Sequence, residues 1–66
     1  MNKHLYINDE LVPERSIIMS FRNLPYKFMY LSSNETKVFA MPVDTEGHTN
    51  GFAREYFPHV FSGVIR

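Results

Sequence analysis

Three histidines and a short acidic segment are the side chains of this sequence that could do chemistry. His4, His48 and His59 are spread along the chain, and Asp44 and Glu46 stand just before His48. A zinc site usually shows paired Cys or His ligands at short spacing, and the chain has no cysteine. We therefore predict that these residues do not form a metal site.

The polar run of residues 44–51 has the composition of a calcium-binding loop, with two carboxylates and glycine. It lacks the oxygen ligands at regular odd positions and the final bidentate Glu of an EF-hand loop. Its turn-forming residues are typical of a surface connection. We predict a solvated loop.

If their segment is helical, Glu55 and His59 could form an acid–base pair, because residues four positions apart share one face of a helix. On a helix surface this pairing is more typical of an ion pair than of catalysis. Catalysis also needs a nucleophile, an oriented base and an enclosed pocket, and a chain of 66 residues has little volume for one. We predict that the protein is not an enzyme and carries no cofactor.

Length and charge place the chain among small proteins of one domain, residues 1–66. A chain of this size buries only about 60% of its unfolded surface. Seven basic side chains balance seven acidic ones, whereas proteins that mainly neutralise phosphates carry a basic excess. The size is typical of accessory proteins of phages and other mobile elements.

No segment of the sequence predicts export or membrane insertion. Residues 1–4 lead into strand-like sequence without an apolar signal segment. No apolar run approaches the roughly 20 residues that a spanning helix needs, and the lack of cysteine is compatible with a reducing compartment. We predict a cytoplasmic protein without membrane association.

The centre of the chain predicts a β-hairpin. Residues 26–31 and 36–43 alternate in the two-residue period of strands, and residues 32–35 are short polar residues that favour a turn. The alternation predicts that Tyr26, Phe28 and Tyr30 share one face of the first strand. In the second strand it places Val38 and Ala40 on the face opposite Phe39 and Met41.

Further short strands are predicted before the hairpin. Residues 3–7 form a first strand, residues 8–10 form a turn, and residues 11–12 begin a second strand that Pro13 confines to an edge or a bulge. Residues 15–21 form another strand, in which we expect the face of Ile17, Met19 and Phe21 to be the core side.

The segment after residue 50 allows two interpretations. Asn50 and Gly51 favour a turn into a strand at residues 52–56, but Asn50 is also a suitable cap for a helix that would run to Phe57 and end at Pro58. We expect a 3₁₀ turn at residues 58–61 and a last short strand at residues 63–65.

The whole pattern predicts a mainly β fold of four to five short strands, either an SH3-like barrel or a curved open sheet with one short helix.

Two functions fit this fold. The first is a protein-binding interaction module, an inhibitor or regulator of a larger protein, that uses either an edge strand near Pro13 or an aromatic surface. Self-association into a homo-oligomer is a further option. The candidate partner-binding residues are Tyr26, Phe28, Tyr30, Phe52, Tyr56, Phe57 and Phe61.

The alternative function is binding of single-stranded nucleic acid. Small barrels bind single strands by stacking bases on aromatic side chains beside basic ones. The central strands interleave aromatic and basic residues in this way, although the neutral net charge argues for a protein partner. The candidate cations are Arg22, Lys27, Lys37 and Arg54.

Overall fold

The structure is a computed structural model that describes residues 2–49 and 51–66. In that part of the chain it contains seven strands and one 3₁₀ helix, which confirms the predicted mainly β fold with a 3₁₀ turn near the C-terminus. The strands are β1 (Leu5–Ile7), β2 (Glu10–Leu11), β3 (Ile17–Met19), β4 (Pro25–Leu31), β5 (Val38–Pro42), β6 (Arg54–Tyr56) and β7 (Gly63–Ile65), and the 3₁₀ helix spans Pro58–Phe61. Among these residues no helix has the length and apolar character needed to cross a membrane.

The strands form two antiparallel sheets. One sheet has the order β2-β1-β7 and the other has the order β3-β4-β5-β6. The described strands therefore do not close into the single SH3-like barrel predicted as one architecture. The sheets are joined through the 3₁₀ helix, where the Phe21 N–H donates to the Val60 carbonyl at 2.8 Å. The terminal strands are β2 and β7 in one sheet and β3 and β6 in the other.

The predicted central hairpin is confirmed, and Ser32 organises its turn. The Ser32 hydroxyl accepts the N–H groups of Thr36 and Lys37 at 3.3 and 3.1 Å and donates to Asn34 Oδ1 at 2.8 Å. Glu35 adopts the left-handed conformation, with φ of 58°. Short polar side chains thus supply the hydrogen bonds that the turning backbone requires.

A β-bulge in β4 changes which side chains share a face. Phe28 lies opposite Ala40, and Tyr30 lies opposite Phe39, so that Met29 is an extra residue in the ladder. An inserted residue reverses the alternation beyond it. The prediction that Tyr26, Phe28 and Tyr30 share one face is therefore wrong, because Tyr30 lies on the face opposite Phe28.

The predicted core face of β3 is also wrong. Ile18 is 6% exposed, whereas Ile17, Met19 and Phe21 are 54%, 50% and 65% exposed. Ile18 lies opposite Tyr26, and Ser20 on the same face is buried because its hydroxyl accepts the N–H groups of the following turn. Because these hydrogen bonds satisfy the Ser20 hydroxyl, the face of β3 that carries Ile18 and Ser20 can be the inner one. It is inner although it is less apolar than the opposite face of the strand.

The core lies between the two sheets. Its fully buried apolar side chains come from both sheets and from the 3₁₀ helix, and burial of each large one contributes about 1.5–3 kcal/mol. These core residues are Leu5, Ile18, Phe28, Val38, Ala40 and Phe61.

The ambiguous segment after residue 50 is a strand. Tyr56 pairs with Val38 and Arg54 pairs with Ala40, so β6 extends the larger sheet, and the helical interpretation is wrong. Asn50, the predicted turn residue and helix cap, lies outside the described residues. Phe57 is extended at φ of −72° and ψ of 145°, as the residue before a proline should be, and the predicted 3₁₀ helix and last strand are both confirmed.

Candidate protein-interaction site

The outer edge of β3 presents backbone groups that no described strand pairs with. The Phe28 N–H donates to the Ser16 carbonyl at 2.8 Å, and the Ser20 N–H donates to the Leu24 carbonyl at 2.9 Å. Because bonding alternates along an antiparallel strand, Ile17 and Met19 direct their amide and carbonyl groups away from β4. β3 is the terminal strand of its sheet, so these groups lie at an exposed edge.

A groove of about 530 Å³ lies beside this edge. It is bordered by residues of both sheets, and we call it the β2/β3 groove. Its volume is in the range of sites that bind ligands or side chains of a partner. The residues that line it are Ile7, Asn8, Glu10, Leu11, Val12, Pro13, Ser16, Ile17, Ile18, Met19, Phe61 and Ser62.

Eight of the twelve described residues that line the β2/β3 groove are apolar, and Glu10 is the one charged residue among them. Glu10 follows a tight turn in which Asn8 and Asp9 have φ of 54° and 63°. Two successive left-handed residues are the signature of a two-residue hairpin turn, and Asn and Asp are residues that tolerate it. The local sequence therefore fixes β2 against β1 and brings Glu10 and Leu11 to the rim.

The seven predicted partner-binding aromatic residues occupy three different environments. Phe28 and Phe61 are core residues, 3% and 1% exposed. Tyr26 and Tyr56 are half-buried and pack edge to face against each other and against Phe61, with ring centroids 5.3–5.7 Å apart.

The remaining three predicted aromatic residues are exposed at separate places. Phe52 is 88% exposed in the loop before β6, and Phe57 is 56% exposed beside the 3₁₀ helix. Tyr30 packs on Phe39 with centroids 5.1 Å apart. The predicted patch of C-terminal aromatic side chains is thus divided between core and surface.

Burial raises the pKa of the Tyr56 phenol above its ordinary value, and the neighbouring Tyr26 adds to this through its charge and a hydrogen bond. Arg54 acts in the opposite direction to a smaller extent. A raised pKa means that the folded protein favours the neutral phenol. The packing of the Tyr56 ring against Tyr26 and Phe61 agrees with this direction.

The four predicted cations are spread over the molecule. Lys27 lies between Ile17 and Met41 on the outer face of the larger sheet, whereas Arg54 lies opposite Ala40 on the inner face. Arg22 packs over the Phe21 ring at 5.5 Å.

Lys37 is engaged on two sides. Its ammonium group lies 3.3 Å from the Glu55 carboxylate and 5.0 Å from the centre of the Phe57 ring. The predicted pairing of Glu55 with His59 on a helix is wrong, because Glu55 lies on β6. A cation that already has a carboxylate and an aromatic partner is less available to a phosphate.

The acidic loop brings together three of the five side chains that the sequence analysis weighs as metal ligands and predicts not to form a metal site. Ligand atoms of Asp44, Glu46 and His48 lie within 4.8 Å of one another. Asp44 Oδ1 accepts the N–H groups of Glu46 and His48, both at 2.9 Å. This is the hydrogen-bond pattern by which Asp stabilises a turn, and it accounts for the proximity of the three side chains.

The sequence pattern does not identify the residues of the groove. It predicts Ile17 and Met19 as core residues, and it does not mark Glu10 or Leu11 as site residues. The signal that the sequence does offer is the predicted edge strand near Pro13. Pro13 lies in the connection from β2 to β3 and lines the groove.

Comparison with family models, with curated proteins and with solved structures finds no significant match for this chain.

Proposed function

We propose that this protein is an interaction module that binds a segment of another protein in the β2/β3 groove, and that it inhibits or regulates that partner. The observation that supports this proposal is the exposed edge of β3 beside a largely apolar groove. A sheet edge offers hydrogen bonds to a partner, and an apolar groove offers burial. Glu10 is the one charged residue among the described residues that line the groove, so we expect apolar contact and backbone hydrogen bonds to supply most of the affinity.

Exposed apolar side chains on β2 and β3, the strands that border the groove, support the same proposal. Leu11, Ile17 and Met19 are each half exposed or more, and exposed apolar surface of this kind marks interaction sites. A segment bound between β2 and β3 would also connect the two sheets. The complex would then approach the small SH3-like barrel that the strand pattern predicts.

The nucleic-acid alternative has less support. Its four cations do not share one face, and Lys37 is paired with Glu55. Proteins that bind single strands usually align such cations along one groove. We therefore expect a protein partner.

The first test is a pull-down from a lysate of the source cell with three versions of the tagged chain: the wild type, Met19→Lys and Val64→Lys. Lysine at an edge position blocks strand pairing and places a charge at the groove. Val64 is a matched control because it is 52% exposed on β7, outside the groove. Half of each lysate is treated with nuclease, and circular dichroism verifies that each variant is folded.

We expect a stoichiometric protein that is retained by the wild type and by Val64→Lys in both halves, and that is lost with Met19→Lys. Bound material that disappears after nuclease treatment would instead support the nucleic-acid alternative. A partner that Met19→Lys retains would place binding elsewhere on the molecule. Recovery of the bait alone would argue for self-association.

A further inference from the structure

We infer that the β2/β3 groove takes an extended segment with apolar side chains at alternate positions and a Lys or Arg that faces Glu10. This inference rests on the proposed function and names the chemistry of the partner. It follows from three features of the site: the direction of the β3 backbone groups, the apolar lining and the single charge.

The backbone of β3 selects an extended partner. Ile17 and Met19 are two residues apart in a strand, so their outward groups repeat at about 6.6 Å. Only another extended chain repeats its donors and acceptors at this spacing, whereas a helix satisfies its backbone groups internally. The Phe21 N–H already bonds Val60, so the added ladder covers about three residues of β3.

The lining selects alternate apolar side chains. Successive residues of the added strand point to opposite faces. One set enters the groove, where Leu11, Val12 and Phe61 are among the lining residues. The other set continues the exposed row of Ile17 and Met19 on the outer face of the sheet.

The charge of the groove selects a cation. Glu10 is the one charged lining residue, and it takes part in none of the ion pairs formed among the described residues. Asp9, its neighbour, already lies 3.5 Å from Arg66. A bound Lys or Arg would compensate the Glu10 carboxylate, and an acidic residue at that position would be repelled.

The test is selection of a random library of twelve-residue peptides, displayed on phage, against the immobilised wild-type protein. We expect enriched sequences to combine alternate apolar residues with one Lys or Arg. A synthetic peptide from the enriched set should bind Met19→Lys at least tenfold more weakly and Glu10→Gln about threefold more weakly. Val64→Lys should bind as the wild type does.

Charge reversal provides a sharper test of the Glu10 contact. The Glu10→Lys variant should reject the basic peptide, and a peptide with Glu in place of its Lys or Arg should restore binding to this variant. Restoration requires that the two charges face each other, since a loss of folding would affect both peptides equally.

Amide hydrogen exchange tests the extended geometry. On binding, the amides of Ile17 and Met19 should become protected, while the Ile18 amide, which faces β4, should already be protected in the free protein. Enrichment of no sequence, of helical sequences, or of peptides that leave the Ile17 and Met19 amides unprotected would overturn the inference.

Failure of this inference is distinguishable from failure of the proposed function. A cellular partner lost with Met19→Lys, together with no enriched peptide, would mean that a folded surface occupies the groove. Peptides that bind as expected, together with no cellular partner, would support the strand-binding site and contradict the proposed function.

Discussion

Phe57 and Phe61 show that residue type alone does not decide the role of an aromatic side chain in this protein. Phe61 is 1% exposed and Phe57 is 56% exposed, although only four positions separate them. Phe57 precedes the 3₁₀ helix, and Phe61 is its last residue and packs between the sheets. The backbone path through Pro58 therefore assigns one ring to the core and the other to the surface.

We expect Phe61→Ala to unfold the protein and Phe57→Ala to leave it folded. Truncating a buried Phe costs about 3–5 kcal/mol, which is about the whole stability of a domain of this size. The exposed Phe57 ring loses mainly its contacts with Lys37 and His59, at a cost below about 1 kcal/mol. Urea denaturation followed by circular dichroism measures both, and an equal loss in the two variants would contradict this assignment.

The Tyr56 phenol should make the protein less stable in alkali. Its pKa is raised in the folded state by burial and by Tyr26, so the unfolded chain releases this proton at lower pH. The contribution of the neutral Tyr56 phenol to the free energy of unfolding is fully present below the ordinary phenol pKa of about 10. It is lost as the pH rises through the folded-state pKa. Urea denaturation between about pH 8 and pH 11 should show a smaller alkaline loss for Tyr56→Phe than for wild type. Tyr30→Phe, which removes an exposed phenol, is the control, and an alkaline loss of the same size in Tyr56→Phe would refute this explanation.

At the scale of elements, single residues in strands decide which side chains face the core. The extra residue Met29 turns Tyr30 outward and lets Leu31 lie opposite the buried Val38. The hydrogen bonds of Ser20 hold β3 with Ile18 inward and Met19 outward. The edge of β3 itself is exposed because β3 is the terminal strand of its sheet.

The contact between β1 and β7 depends on Gly63. A Cβ atom at this position would lie 2.9 Å from Leu5 Cδ1 and 3.1 Å from the Tyr6 carbonyl oxygen, and the backbone oxygen cannot move without disturbing the ladder. We expect Gly63→Ala to lower the free energy of unfolding by about 1–3 kcal/mol, measured by urea denaturation. Gly47→Ala is the comparison, because no atom of the described residues lies within 4 Å of its Cβ and its positive φ costs about 1 kcal/mol. Unchanged stability of Gly63→Ala would show that the two strands can separate without cost.

At the scale of the whole molecule, the candidate site exists because two sheets share a core, while their described strands do not close into one barrel. The 3₁₀ helix and the Phe21–Val60 hydrogen bond join the sheets, and the edge strands β2 and β3 border the groove next to this junction, because Phe61 also lines it. Both edge strands are short, which limits uncontrolled pairing. The balance of seven basic and seven acidic side chains leaves apolar contact and backbone hydrogen bonding as the means of recognition.

The sequence by itself determined the positions of most strands and turns, because these depend on neighbouring residues, but it left residues 52–57 open between strand and helix. Alternation predicted β4 and β5, the short polar residues 32–35 predicted their turn, and Pro58 predicted the 3₁₀ helix. Only the tertiary structure decided which side of β3 is buried, where Tyr30 points and where the β2/β3 groove lies. Burial of a strand face depends on what packs against it from distant parts of the chain, and one bulge reverses every face beyond it. The site combines residues 7–19 with Phe61 and Ser62 from near the C-terminal end of the chain, and no local pattern brings these two segments to the same groove.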